Sequence, residues 1–191
     1  MKKNLRYVLL PLTLIFAILA INVLLTPSGT RQTPAAFPKF QTKDLAGQSV
    51  NNEIFTGKFT ILVLWVIKDN HSRQLLQALT DWQLQESDDM QIIGLAGDVK
   101  TTDNDDKIAF AQNVANDFPI PQLLVNDDMA AFLTTIKTVP TICFVNPYGQ
   151  LVGQPVAGYE IDLVKKEARR LMAADSQSDT DKSLIMKKLA Q

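Results

Sequence analysis

The stretch FTILVLWVI at residues 59–67 limits the possible folds of this chain more than any other segment. Every side chain in it except Thr60 is apolar, and several are β-branched. A strand that is covered on both faces reads as a continuous apolar run, whereas a strand with one solvated face alternates apolar and polar residues. The sequence therefore predicts a central strand with both faces buried, which requires a layer of structure on each side of a sheet.

The remaining segments alternate between helical and extended patterns. Apolar residues at helical spacing predict a helix over residues 72–85: Leu75, Leu76, Leu79 and Trp82. A strand pair with one helical turn is predicted at residues 37–58, before the central strand. Further strands are predicted at residues 90–98, 121–127, 141–146 and 151–158. Further helices are predicted at residues 105–118, 127–137 and 160–172. This order predicts an α/β sandwich whose mixed sheet is parallel in its first part and antiparallel at its last hairpin.

The first 25 residues differ in composition from the rest of the chain. The basic stretch MKKNLR precedes residues 7–25, which are apolar except for Pro11, Thr13 and Asn22. At about 1.5 Å per residue this segment gives roughly 28 Å of helix, close to the thickness of the hydrocarbon core of a bilayer. We therefore predict a transmembrane anchor over residues 1–25, whose basic end stays in the cytoplasm.

Three further regions follow the anchor. Residues 26–36 are rich in Pro, Ser and Thr and are predicted to be a linker, residues 37–173 form the domain, and the polar residues 174–191 are predicted to be a disordered tail. The predicted location is a bacterial-type cell membrane, with the domain on the extracytoplasmic (periplasmic) side. A cleaved signal peptide is the alternative, although its apolar region is usually only about 7–15 residues long.

Charge and cysteine content exclude two classes of function. The chain has 19 basic and 20 acidic side chains, so no net field attracts nucleic acid. It has one cysteine, Cys143, which excludes an internal disulfide and any Cys-x-x-Cys centre. Cys143 lies in a predicted buried strand, where a lone thiol behaves as a small apolar side chain.

Two motifs and the anchor give the chain a resemblance to a known family. The segments FQTKDLAGQSVNNEIFTGKFTILVLW and TVPTICFVNPYGQLV, together with the anchor, resemble the membrane-anchored thioredoxin-like proteins of the TlpA/ResA type. The resemblance implies a thioredoxin-like three-layer sandwich, a cis peptide bond between Val139 and Pro140, and a groove that holds an extended peptide or protein client. The residues implied to line this groove are Trp65, Lys68, Asp69, Asn70, His71, Ser72, Val139 and Pro140.

The family's redox motif is missing from this sequence. Aligned from Trp65, the sequence has Asp69 and Ser72 where the family has its two cysteines, and Lys68 where it has a second tryptophan. Neither a carboxylate nor a hydroxyl can carry out disulfide exchange, which needs a thiolate. Asp69 is instead a good residue to cap the N-terminus of the following helix.

The sequence therefore favours a redox-inactive binding or assembly module, and the resemblance implies envelope protein or cytochrome maturation as its setting. The alternative is a thiol-disulfide oxidoreductase with a degenerate site. No cofactor is predicted. His71 is the only histidine and, with Asp69, supplies too few ligands for zinc, so no metal site is predicted either.

Overall fold

A computed structural model describes residues 34–83, 85 and 88–189. The predicted anchor and the first part of the predicted linker, residues 26–33, lie outside the described residues. Within the described part of the chain, no helix is both long enough and apolar enough to cross a membrane.

The described residues form one six-stranded sheet and one separate hairpin. The sheet has the order β1-β8-β7-β4-β5-β6, and β2 pairs with β3 in the hairpin. The strands are β1 (Ala35–Ala36), β2 (Gln41–Lys43), β3 (Ser49–Asn51), β4 (Phe59–Trp65), β5 (Met90–Lys100), β6 (Gln122–Val125), β7 (Thr141–Val145) and β8 (Gln150–Ala157). The helices are α1 (Asn70–Gln83), α2 (Asp105–Ala115), α3 (Ala130–Thr135) and α4 (Ile161–Leu189), with 3₁₀ turns at Asn52–Phe55 and Asp127–Met129.

The apolar strand β4 is central and buried along its whole length, as predicted. It pairs in parallel with β5 and antiparallel with β7, so the sheet is mixed. Alternate side chains of β4 enter two separate cores because successive residues of a strand point to opposite faces. Trp65 packs with residues of α1, α2 and α4, whereas Leu64 packs with Phe55 and with Phe132 of α3. The two cores make the fold a three-layer α/β sandwich.

The structure differs from the sequence prediction at both ends of the domain. Ala35 and Ala36, which were placed in the linker, form β1 against Leu151 and Gln150 of β8. The two-residue strand covers one end of β8, so the domain begins before Phe37.

The tail is the second difference, because residues 174–189 continue α4 as helix. The earlier part of α4 is fixed on the sheet by buried apolar residues such as Leu171, and extending a helix is much easier than nucleating one. No glycine or proline follows Gly158 to interrupt it. The hydroxyl of Tyr148 also donates to the carboxylate of Asp179 at 2.9 and 2.8 Å. Polar composition alone therefore gave the wrong prediction for these residues.

Candidate functional site

The loop between β4 and α1 carries the residues that stand in place of the family's redox motif. Asp69 precedes the first residue of α1, and its Oδ2 accepts a hydrogen bond from the main-chain N–H of Ser72 at 2.7 Å. Hydrogen bonds from the Ser72 hydroxyl and from the main chain of Ser72 and His71 lower the pKa of Asp69 below its usual 3.8. The carboxylate thus caps the helix in its ionised form, as predicted.

Ser72 is a structural residue at this site. Its side chain is fully buried, and its Oγ lies 3.4 Å from the main-chain nitrogen of Val66, from which it accepts. The same hydroxyl donates to Asp69. Because the hydroxyl is inaccessible to solvent, it cannot act as a nucleophile toward a bound substrate.

Hydrogen bonds to Asp98 and from Arg73 fix the loop. The N–H of Ile67 donates to the carboxylate of Asp98, at 3.2 Å to Oδ1 and 3.4 Å to Oδ2. The guanidinium of Arg73 donates to Asn70 Oδ1 and lies 3.4 Å from the carbonyl oxygen of Ile67. Sequence reasoning missed Asp98. The available signal was its position near the carboxyl end of β5, which runs parallel to β4 and so ends at the same edge of the sheet.

The second part of the site is the turn that enters β7. The Val139–Pro140 peptide bond is cis, as predicted. The Pro140 carbonyl accepts from Gly158 N–H at 2.8 Å, and the Thr138 carbonyl accepts from the Thr141 hydroxyl at 2.7 Å. Pro140 is buried, but Val139 is 37% exposed. Within the described residues, neither the N–H nor the carbonyl of Val139 has a hydrogen-bond partner.

Val66 connects the two parts of the site. Its carbonyl accepts from the N–H of Asp69 at 3.2 Å, and its side chain shares a cavity with Val139. The cavity has a volume of about 280 Å³ and is lined by Leu64, Val66, Gly97, Leu133, Ile136, Lys137, Thr138 and Val139. We use the name Val139 groove for the candidate surface that comprises Val66, Val139 and, beyond Val66, the exposed residues of the loop at 68–71.

Three of the predicted groove residues are buried and do not reach this surface. Trp65 is fully buried, and its indole N–H donates to Gln122 Oε1 at 2.9 Å. The pleat of β4 directs Trp65 into the core under the helices, so the prediction that it lines the groove is wrong. Ser72 and Pro140 are buried as well, whereas Lys68, Asn70 and His71 are exposed and Asp69 is partly exposed.

His71 has no arrangement around it that supports catalysis. Its Nδ1 lies 3.8 Å from Asp69 Oδ1, and its side chain is 71% exposed. No hydrogen bond within the described residues ties its ring to Ser72. Among the described residues, no group of three or more His, Cys, Asp and Glu side chains is placed to hold a metal ion.

Cys143 lies in β7, 3% exposed, among apolar residues such as Leu62 and Phe55. Burial raises the pKa of its thiol to about 12. The thiolate that disulfide exchange requires is therefore suppressed at neutral pH.

Comparison with known proteins identifies the architecture. A thioredoxin domain of a thiol-disulfide oxidoreductase from Bacteroides vulgatus matches with a TM-score of 0.53 and 20% identity over 73% of this chain and 99% of its own. StoA from Bacillus subtilis matches with a TM-score of 0.53 and 18% identity over 71% of this chain and 99% of its own. A secreted Mycobacterium tuberculosis disulfide oxidoreductase matches with a TM-score of 0.52 and 16% identity over 69% and 95%.

The chain has a thioredoxin-like fold. No protein-family model matches the sequence, and no curated protein does either. Two of the three structural relatives are described as disulfide oxidoreductases, whereas this thioredoxin-like chain has a single, buried cysteine. Because one fold carries many functions, the function of this chain has to be argued from the Val139 groove.

Proposed function

We propose that this protein binds extended segments of client proteins in the Val139 groove and does not catalyse thiol-disulfide exchange. The observation that carries the proposal is the main chain at Val139. Its N–H and carbonyl are unpaired within the described residues, and the residue is 37% exposed. An extended peptide can satisfy both groups by pairing as an added strand, which is a common way for a sheet protein to bind a peptide.

The cavity beside Val139 supports the same conclusion. Most of its lining is apolar, and its volume of about 280 Å³ leaves room for an apolar side chain of the client. In strand-type recognition, main-chain pairing supplies affinity and pockets for alternate side chains supply specificity. Cis-Pro140, whose carbonyl bonds to Gly158, and the capped start of α1 hold the two walls of the groove.

Exchange chemistry is disfavoured by the residues present. Asp69 and Ser72 cannot form or cleave a disulfide, and the only thiol, Cys143, is buried with a pKa of about 12. A degenerate oxidoreductase would need Cys143 to attack a client disulfide and a second thiol to resolve the mixed intermediate, and the chain has no second thiol.

We further propose that the domain works on the extracytoplasmic side of a cell membrane, in envelope protein or cytochrome maturation. The support is the basic stretch at residues 1–6 followed by the apolar residues 7–25. Protease added to spheroplasts should digest the domain while leaving cytoplasmic proteins intact. A mature protein that is soluble and begins after residue 20 would contradict the anchor.

The peptide-binding proposal is tested with full-length protein in detergent micelles and a positional-scanning library of nine-residue peptides. Fluorescence anisotropy measures the binding of each peptide. The strongest binder is then N-methylated at one residue at a time. Strand pairing predicts that methylation of the amide facing Val139 weakens binding roughly three- to tenfold, because one hydrogen bond is lost. Methylation of the adjacent amide, which points away, serves as the matched control and should have little effect. No saturable binding by any peptide, or equal sensitivity at adjacent amides, would overturn the proposal.

A further inference from the structure

We infer that the client segment carries a Lys or Arg side chain that pairs with Asp69 in the Val139 groove. This inference rests on the proposed function and names the class of peptide that the groove selects. It arises from the feature in which this chain departs from a redox protein, namely a carboxylate at the start of α1.

The Asp69 carboxylate can accept a further hydrogen bond and pair with a cation. Its Oδ2 accepts from the N–H of Ser72 at 2.7 Å, the Ser72 hydroxyl and the His71 N–H also donate to the carboxylate, and the exposed His71 ring lies 3.8 Å from Oδ1. Its side chain is 27% exposed. Among the described residues, no Lys or Arg nitrogen lies within 4.0 Å of this carboxylate. A carboxylate that keeps its charge and lacks a strong cationic partner favours a cationic ligand.

The neighbouring cations do not fill this role. Arg73 bonds to Asn70 and lies near the carbonyl of Ile67. Lys68 is exposed, and Lys137 on the other side of the cavity donates to the carbonyl of Thr134 at 2.9 Å. The Asp69 carboxylate therefore remains accessible to a cation brought by the client.

The position of Asp69 relative to the peptide-binding main chain makes such a contact feasible. Asp69 N–H donates to the carbonyl of Val66, and Val66 lines the same cavity as Val139. A peptide paired with Val139 and passing over Val66 would therefore reach the start of α1. Val66 and Val139 also offer apolar surface on which the aliphatic stem of a Lys or Arg can lie while its charged group reaches the carboxylate.

The test compares three versions of the N-methyl-mapped peptide, with Lys, norleucine or Glu at each position in turn, on full-length protein. One position should favour Lys over norleucine by about fivefold at low salt, a typical size for a partly exposed ion pair, and should disfavour Glu. The preference should shrink as salt is raised, because exposed charges are screened.

Two protein variants separate the carboxylate from its surroundings. In Asp69→Asn the Lys preference should be lost, since the amide keeps an acceptor for the helix cap but has no charge. Asp81→Asn makes the same change of net charge on an exposed residue twelve positions further along α1, about 18 Å away, and should keep the preference. The thermal midpoint of each variant checks that it is folded.

The outcomes distinguish this inference from the proposed function. Peptides that bind with alternating N-methyl sensitivity but show no Lys preference would overturn the inference and leave the proposed function standing. A Lys preference that survives in Asp69→Asn would also overturn it. If no peptide binds the unmodified protein, the proposed function fails and the inference fails with it.

Discussion

Replacing Asp69 with alanine tests whether this residue now serves the stability of the domain. The substitution removes the acceptor that lies 2.7 Å from the N–H of Ser72, and loss of such a helix cap costs about 1 kcal/mol. It also leaves the Ser72 hydroxyl without the carboxylate to which it donates, in a side chain that is fully buried. An unsatisfied buried donor costs about 1–3 kcal/mol, so together with the cap we expect Asp69→Ala to lose about 2–4 kcal/mol of unfolding free energy.

A double-mutant cycle isolates the contact between the two side chains. Ser72→Ala alone should cost about 1 kcal/mol, whereas the same change in the Asp69→Ala background should cost less, because the hydroxyl has already lost the acceptor of its proton and keeps only the long bond from Val66 N–H. Asp69→Asn, which keeps an acceptor at the cap, should cost less than Asp69→Ala. The assay is urea unfolding followed by tryptophan fluorescence, since Trp65 and Trp82 are both buried.

Two results would refute this reasoning. A loss below about 0.5 kcal/mol for Asp69→Ala would show that the hydrogen bonds of the cap contribute almost nothing. Additive effects of Asp69→Ala and Ser72→Ala would show that the two side chains do not interact, contrary to the Ser72 hydrogen bond that lowers the pKa of Asp69.

Three further predictions concern chemistry and pH. The unmodified protein should not reduce insulin disulfides, whereas the double variant Asp69→Cys with Ser72→Cys should form a disulfide and show dithiol activity. Insulin reduction by the unmodified protein that disappears in Cys143→Ser would contradict the proposed function. The pKa of Asp69 is lower in the folded state than its ordinary 3.8, so the stability that the ionised carboxylate contributes is fully present above pH 3.8 and is lost as the pH falls through the lower folded value. Urea unfolding at a series of acidic pH values should show this loss of stability in the unmodified protein and a smaller loss in Asp69→Asn. Cys143 should resist iodoacetamide in the folded protein at pH 8 and react in denaturant, because its thiol is buried with a pKa of about 12. Mass spectrometry measures the labelling, and fast labelling of the folded protein would contradict the burial of Cys143.

The fold could be predicted largely from local sequence patterns, because the periodicity of apolar residues in most segments matches the faces that are buried in the structure. The continuous apolar run at residues 59–67 predicted a buried central strand, and β4 is buried on both faces between β5 and β7. The tail that was predicted to be disordered, residues 174–191, was one of two exceptions, with the linker residues that form β1. Its composition is polar, but its helix is continued from a segment already fixed on the sheet, and that kind of support is invisible in a window of sequence.

At the site, contacts local in sequence were predictable and distant ones were not. The cap by Asp69 spans three residues, and its residue types alone suggested it. The partner of Ile67 is Asp98, 31 residues away, and the partner of Trp65 is Gln122, 57 residues away. Which side chain meets which across such distances depends on strand register. The prediction that Trp65 lines the groove could have been avoided. Side chains alternate along β4, and this alternation places Trp65 on the same face as Val63, in the core.

The two roles proposed for Asp69, helix capping and recognition of a cationic client, can be separated by experiment. As a cap, it needs only an oxygen that accepts from the N–H of Ser72, so asparagine should largely replace it. As a recognition group for a cationic client side chain, it needs its charge, so asparagine should fail. A variant that keeps the stability of the domain but loses the Lys preference would therefore assign the carboxylate to binding. If Asp69→Asn keeps both, the carboxylate at this position is explained by helix capping alone, and client selection has to come from the cavity beside Val139.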